Sequence, residues 1–227
     1  MKRYLHLIPI ALALAGCAKT PPGAVTGPQT LVTFEVQVQG SVNPAEYYYI
    51  VLDTNNDASD GPRPVVARPW GNGYAAGSYT HYILYHAGTF GVYQSSDNPD
   101  HQMNVYLGRP LQAGVESRNN ASDTLVVQLD AAQVANVNPA VRALDVNIIA
   151  TDRVPLDPQE ITTKTVDGLG LSGADFVTIP LTYTQVYQDG VNPDPGHPET
   201  LEAGIVPGLA EHPELDLINW RTTVQRG

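Results

Sequence analysis

Asp53-Thr54-Asn55-Asn56-Asp57-Ala58-Ser59-Asp60-Gly61 places side-chain oxygens at alternating positions of one loop. Asp53, Asn55, Asp57 and Asp60 form a set of hard oxygen donors suited to calcium, which takes six to eight such ligands at flexible geometry. The loop departs from an EF-hand at Ala58, where glycine is needed, and at Pro64, where glutamate is needed. The same residue types also form plain polar turns by bonding their own backbone. Metal ligation by these four residues is one expectation, and an ordinary turn is the other. A second chemistry comes from aromatic rings crowded between Tyr47 and Tyr106. The C–H faces of a pyranose stack on such rings while its hydroxyls bond polar neighbours, which makes sugar a natural ligand. Most of these tyrosines suit a half-buried pleat. Trp70 and Tyr74 are the ligand-binding candidates, because they fall in the Pro/Gly-rich loop Arg68-Pro69-Trp70-Gly71-Asn72-Gly73-Tyr74, where a large ring has less reason to join a core.

Other motifs carry less. Asp97-Asn98-Pro99-Asp100-His101 reads as a loop between strands, and His81 and His86 fall on opposite faces of one strand, where they cannot share a metal. Gly168-Leu169-Gly170-Leu171-Ser172-Gly173 has the glycine spacing of dinucleotide folds without a surrounding βαβ unit, so no nucleotide is expected. Gly-x-Ser-x-Gly, His-Glu-x-x-His and a Cys/His nucleophile pair are all missing, and no catalytic residue is assigned.

Cys17 is the only cysteine. It follows Leu14-Ala15-Gly16 at the end of an apolar run from Leu5 to Leu14 that is preceded by Lys2 and Arg3. That is the layout of an export signal, too short to span a bilayer. The segment resembles the lipobox of bacterial lipoproteins. The resemblance implies acylation of the Cys17 thiol by palmitate-type chains and cleavage before it. Residues 1–16 are then a lipoprotein signal peptide, and the membrane is a partner through the lipid on Cys17. The expected location is the cell envelope, facing the periplasm or the exterior.

The chain carries a formal charge of −11, and losing Lys2 and Arg3 with the leader makes it −13. Nucleic acid needs a basic face, whereas Arg63, Arg68, Arg109 and Arg142 are scattered among more numerous carboxylates. A neutral ligand or a divalent cation fits better. With no cysteine to pair with Cys17, stability must come from packing rather than disulfides.

The elements that must position these groups are strands. Residues 17–30 read as a flexible Pro/Gly/Thr tether, 31–187 as the folded domain, and 188–227 as an irregular Pro/Gly-rich arm that docks back on it. Val32 to Gln39 alternates apolar and polar residues, Tyr47 to Leu52 is a continuous run suited to burial on both faces, and Tyr79 to His86 with Thr89 to Gln94 suits a hairpin about Ala87-Gly88. His101 to Leu107, Thr124 to Leu129, Ala143 to Ala150 and Phe176 to Tyr183 complete the set, with Asp130 capping one helical turn over Ala131 to Val134. In Ala143 to Ala150 the alternation aims Asp145 and Asn147 away from the apolar side. The expected fold is all-β, an antiparallel β-sandwich of jelly-roll type with one short helical turn.

Tyr47 to Asp53 entering Asn55-Asn56-Asp57, Thr124 to Asp130 before Ala-Ala-Gln-Val, and Asp145 to Asp152 together resemble DOMON domains and family-9 carbohydrate-binding modules. The resemblance implies a sandwich that binds sugar, or haem in some relatives, with structural calcium. Nothing in the placement of Met103 or the histidines singles out a haem ligand. The function expected is that of a non-catalytic, lipid-anchored envelope protein binding a neutral ligand such as a glycan, with calcium ordering the Asp53–Gly61 loop. The alternatives are an assembly lipoprotein contacting another envelope protein and a glycoside hydrolase using paired carboxylates.

Overall fold

The computed structural model describes residues 29–55, 57, 59–95, 104–119, 122–135, 141–169, 176–189 and 211–227. Cys17 and the leader, most of the 17–30 segment, Asp97 to His101, Met103 and Gly170 to Gly173 lie outside them. The chain is an all-β antiparallel sandwich, as its alternating runs predict. Strands β1 (Thr30–Val38), β8 (Gln112–Glu116), β9 (Thr124–Asp130), β13 (Gln185–Gln188) and β14 (Leu217–Arg226) form one sheet in the order β13-β14-β1-β9-β8. The other runs β11 (Val166–Gly168), β10 (Ala143–Thr151), β2 (Tyr47–Asp53), β5 (His81–His86), β6 (Thr89–Gln94) and β7 (Val105–Gly108), with β12 (Val177–Pro180) also paired to β10. A short pair, β3 (Pro62–Pro64) and β4 (Ala75–Gly77), stands apart.

Period-two patterning explains the core. Val32, Phe34, Val36 and Val38 turn inward from β1 to meet Ile50, Leu52, Ile83, Leu144, Val146 and Ile148 of the facing sheet. The β5–β6 hairpin closes at Ala87 (φ 50°) and Gly88 (φ 73°), both left-handed, as a two-residue turn of this twist requires. Asp130 caps the 3-10 turn Ala131–Gln133 by accepting from Ala132 N, while the Gln133 side chain accepts from Asp130 N.

One expectation needs correction. The arm over 188–227 does not end irregularly. Leu217–Arg226 is a ten-residue strand between β13 and β1. Trp220, Thr222 and Val224 turn inward while Arg221 and Gln225 face out, and an inward threonine beside outward polar residues hides the alternation. The alternation of β10 holds, with Leu144, Val146, Ile148 and Ala150 in the core between the sheets, and Asp145 and Asn147 on its other face are buried as well.

The reason is a second core. Tyr49, Val51, Tyr82, Ile149 and Val166 on the outer face of the larger sheet pack with Tyr74, Ala75 and Tyr79 from the Pro/Gly-rich segment. Trp70 N donates to Pro158 O and Asn147 Nδ2 donates to Pro62 O, so residues 62–77 and 152–165 close over β10, β2 and part of β5. Among the described residues nothing covers the β6–β7 end of that face.

Candidate functional site

The Asp53–Gly61 loop is built from local turns. Asp53 Oδ1 accepts Asn55 N at 3.1 Å, Asn55 Oδ1 accepts Asp57 N at 2.6 Å, and Asp57 Oδ1 accepts Ser59 N at 3.0 Å. Bonds to Ser59 hold the exposed Asp57 carboxyl below its ordinary range. Asp60 is exposed and faces Arg63 at 3.7 Å. Three of the four expected ligands thus use an oxygen on the adjacent backbone, and Asn55, Asp57 and Asp60 point into solvent. Among the described residues no three or more His, Cys, Asp or Glu side chains gather where they could hold a metal ion. The fold does bring another carboxylate to Asp53. Asp145 lies directly opposite it across the β2–β10 ladder. Both are buried, and Asp53 Oδ2 has no hydrogen-bond partner. Burial, with the Asp53 and Asp57 charges adding to it, pushes the Asp145 carboxyl up to about 6 against the bond donated by Thr178 Oγ1. Neither carboxyl is accessible to a sugar.

Trp70 and Tyr74 are not exposed, contrary to expectation. They are 4% and 5% accessible. Trp70 Nε1 donates to Glu160 O at 2.9 Å, and Tyr74 stacks on Tyr49 with centroids 4.5 Å apart. Lys164 anchors the same cover. Its Nζ donates to Val65 O and Gly73 O and sits 5.8 Å from the Trp70 ring centroid, and desolvation brings its amine down to about 7. These rings hold a loop to a sheet, and neither offers a face to a ligand.

From Tyr74 a line of rings leads outward. Tyr74 meets Tyr82 at 5.2 Å, Tyr82 stacks on Tyr93 at 4.9 Å, and Tyr93 tilts against Tyr106 at 5.3 Å and 56°. Tyr106 is 55% exposed. The last two rings wall a groove of about 420 Å³ that is also lined by Leu84, His86, Gly91 and Arg109. Gly91 makes its floor: a Cβ there would stand 2.7 Å from Tyr93 Cε2, so only glycine lets that ring lie down over β6. His86 is set at one end by stacking on Tyr47 at 3.9 Å and by a 3.0 Å contact from Nδ1 to Glu46 O. Aromatic walls, an open floor, an imidazole and a guanidinium suit a small polar ring with apolar faces.

The chain matches no family model, no curated protein and no solved structure. The groove residues were within reach of the sequence in one respect. Val105, Tyr106 and Leu107 are consecutive and bulky in a short strand, so either both faces of that strand are covered or one bulky side chain faces solvent, and the structure shows the second.

Proposed function

We propose that this protein is a non-catalytic, lipid-anchored β-sandwich of the cell envelope, held to the membrane through Cys17 and binding a glycan on the open outer face of its larger sheet. The observation that carries the reading is the exposed Tyr106 ring tilted against Tyr93 above the Gly91 floor, a stacking platform on rigid strands. The site differs from the Trp70/Tyr74 loop, whose rings are buried. A divalent cation belongs in this proposal at the opposed pair Asp53 and Asp145, where a buried carboxylate oxygen lacks a partner, rather than along the exposed loop.

The test is titration of the full-length protein, in detergent, with a panel of neutral and acidic oligosaccharides. Binding that falls about tenfold in Tyr106→Ala with an unchanged melting temperature supports the platform, a loss of about 1.4 kcal/mol being in the range of ring stacking. No binding across the panel overturns it.

A second reading is favoured by the apolar side chains beside the groove. Val105, Leu107 and Leu111 are all exposed, and β7 ends the sheet order. Such an edge is where a partner protein would add a strand. A photo-crosslinker placed at Val105 that captures an envelope protein in cells, with no sugar bound in vitro, would select this reading.

A further inference from the structure

Arg109 follows β7 and lines two adjoining grooves. One is the tyrosine-walled groove. The other, of about 650 Å³, runs along the sandwich side between the β5–β6 turn and β8, past Tyr85, Leu111 and Val115. The two share Thr89, Phe90 and Arg109. Gln133 Nε2 donates to Arg109 O at 3.2 Å and fixes its backbone, yet the guanidinium itself makes no hydrogen bond or ion pair among the described residues.

Four other arginines face carboxylates. Arg63 faces Asp60, Arg118 faces Glu35 at 2.7 Å, Arg153 faces Glu160 at 2.8 Å, and Arg221 faces Glu35 at 3.8 Å. Even the polar groove on the opposite sheet, of about 310 Å³, neutralises Arg118 and Arg221 with Glu35. Asp and Glu number 23 in this chain against 12 Lys and Arg, but among the described residues no carboxylate lines either groove that Arg109 serves. A planar fork beside stacked rings, with no described acid to pair it, is complementary to a carboxylate carried on a ring.

We infer that the groove selects an acidic sugar, a uronic acid unit whose pyranose face stacks on Tyr106 and Tyr93 while its carboxylate takes the Arg109 guanidinium. The inference rests on the glycan reading above and adds the substrate class. The chain's net negative field opposes an anion at long range, so selectivity must come from this one contact and must weaken with salt.

The experiment compares oligomers of galacturonate, glucuronate and mannuronate with their methyl esters, in which a methyl group replaces the negative charge. The protein is full-length in detergent, with Arg109→Gln, Arg109→Lys and Tyr106→Ala variants. The expected result is an acid that binds about tenfold tighter than its ester, the step an ion-pair contact supplies. Arg109→Gln abolishes that difference by weakening the acid about tenfold more than the ester, Arg109→Lys restores part of it, and Tyr106→Ala weakens acid and ester alike. Acid and ester binding equally, or a preference that survives Arg109→Gln, overturns the role of Arg109 and leaves glycan binding standing. Failure of every acid, ester and neutral sugar overturns both. Arg109 is exposed and unpartnered, so Arg109→Gln melts with the parent protein.

Discussion

Asp53 and Asp145 face each other across the β2–β10 ladder, two buried carboxylates in one cross-strand pair with Asp53 Oδ2 unpartnered. Like charges opposite each other oppose strand pairing, and a proton or a cation relieves them. Calcium at about 100 times its Kd would add about 2.7 kcal/mol, worth roughly 5–10 °C in a chain of this size. The shift is expected at pH 8, should vanish in Asp53→Asn/Asp145→Asn, and should survive Asp57→Asn. Calorimetric melts with calcium and with chelator check it. An equal shift in the double variant removes the cation from this pair.

Stability should pass through a minimum near pH 7. Burial pushes the Asp167 carboxyl up to about 7 despite the bonds it accepts from Leu217 N and Gly168 N, so its contribution is complete below the unfolded carboxylate range and is lost as pH rises through 7. Lys164 is shifted down to about 7, so its contribution is present above the unfolded amine value and is lost as pH falls through 7. Asp145, raised to about 6, and His81, lowered to about 4 by burial, act in opposite senses over nearly one pH range and largely offset. Denaturant unfolding from pH 4 to 10 should show limbs of a few kcal/mol, on the order expected for shifts of this size. Asp167→Asn should flatten the acid limb and Lys164→Met the alkaline one. A maximum at pH 7 would contradict both assignments.

Trp70→Ala should destabilise by about 3–5 kcal/mol, as for a buried aromatic ring, and Trp70→Phe by about 1–2 kcal/mol through the lost bond to Glu160 O. Thermal melts check this. A stable Trp70→Ala protein would return the loop to the surface.

Gly91→Ala should leave the fold nearly unchanged and damage the site. The new methyl meets the far end of the Tyr93 side chain, which can swing away, so sugar affinity should fall by about tenfold. Ligand titration beside a melt separates the two effects.

Much of the sandwich is legible in residue periodicity. β1 alternates as read, β6 has its expected bounds, Tyr47 to Leu52 is covered on both faces, and Asp130 caps its turn. What periodicity cannot give is which loop lies on which face. Trp70 and Tyr74 look like surface rings until residues 152–165 are known to close beside them. Only the β2–β10 register puts Asp145 opposite Asp53. The groove emerges as the complement of the 62–77 and 152–165 cover, the portion of one sheet face that no described loop reaches. In the Asp53–Gly61 loop the alternating Asp and Asn residues make Asx turns, each giving one side-chain oxygen to the backbone two residues on.

The pairing of Thr30 with Arg226 and of Leu31 with Asp130 sets an order on assembly. Among the described residues β1 is the first strand, and its neighbours β9 and β14 both lie far downstream of it. β1 therefore stays an unpaired, half-apolar ribbon until β9 reaches it and lacks its second neighbour until β14 does, and closing loops of that length is slow. The sheet that β1 centres is thus closed by contacts distant in sequence, and it is complete only when β14 has docked beside it.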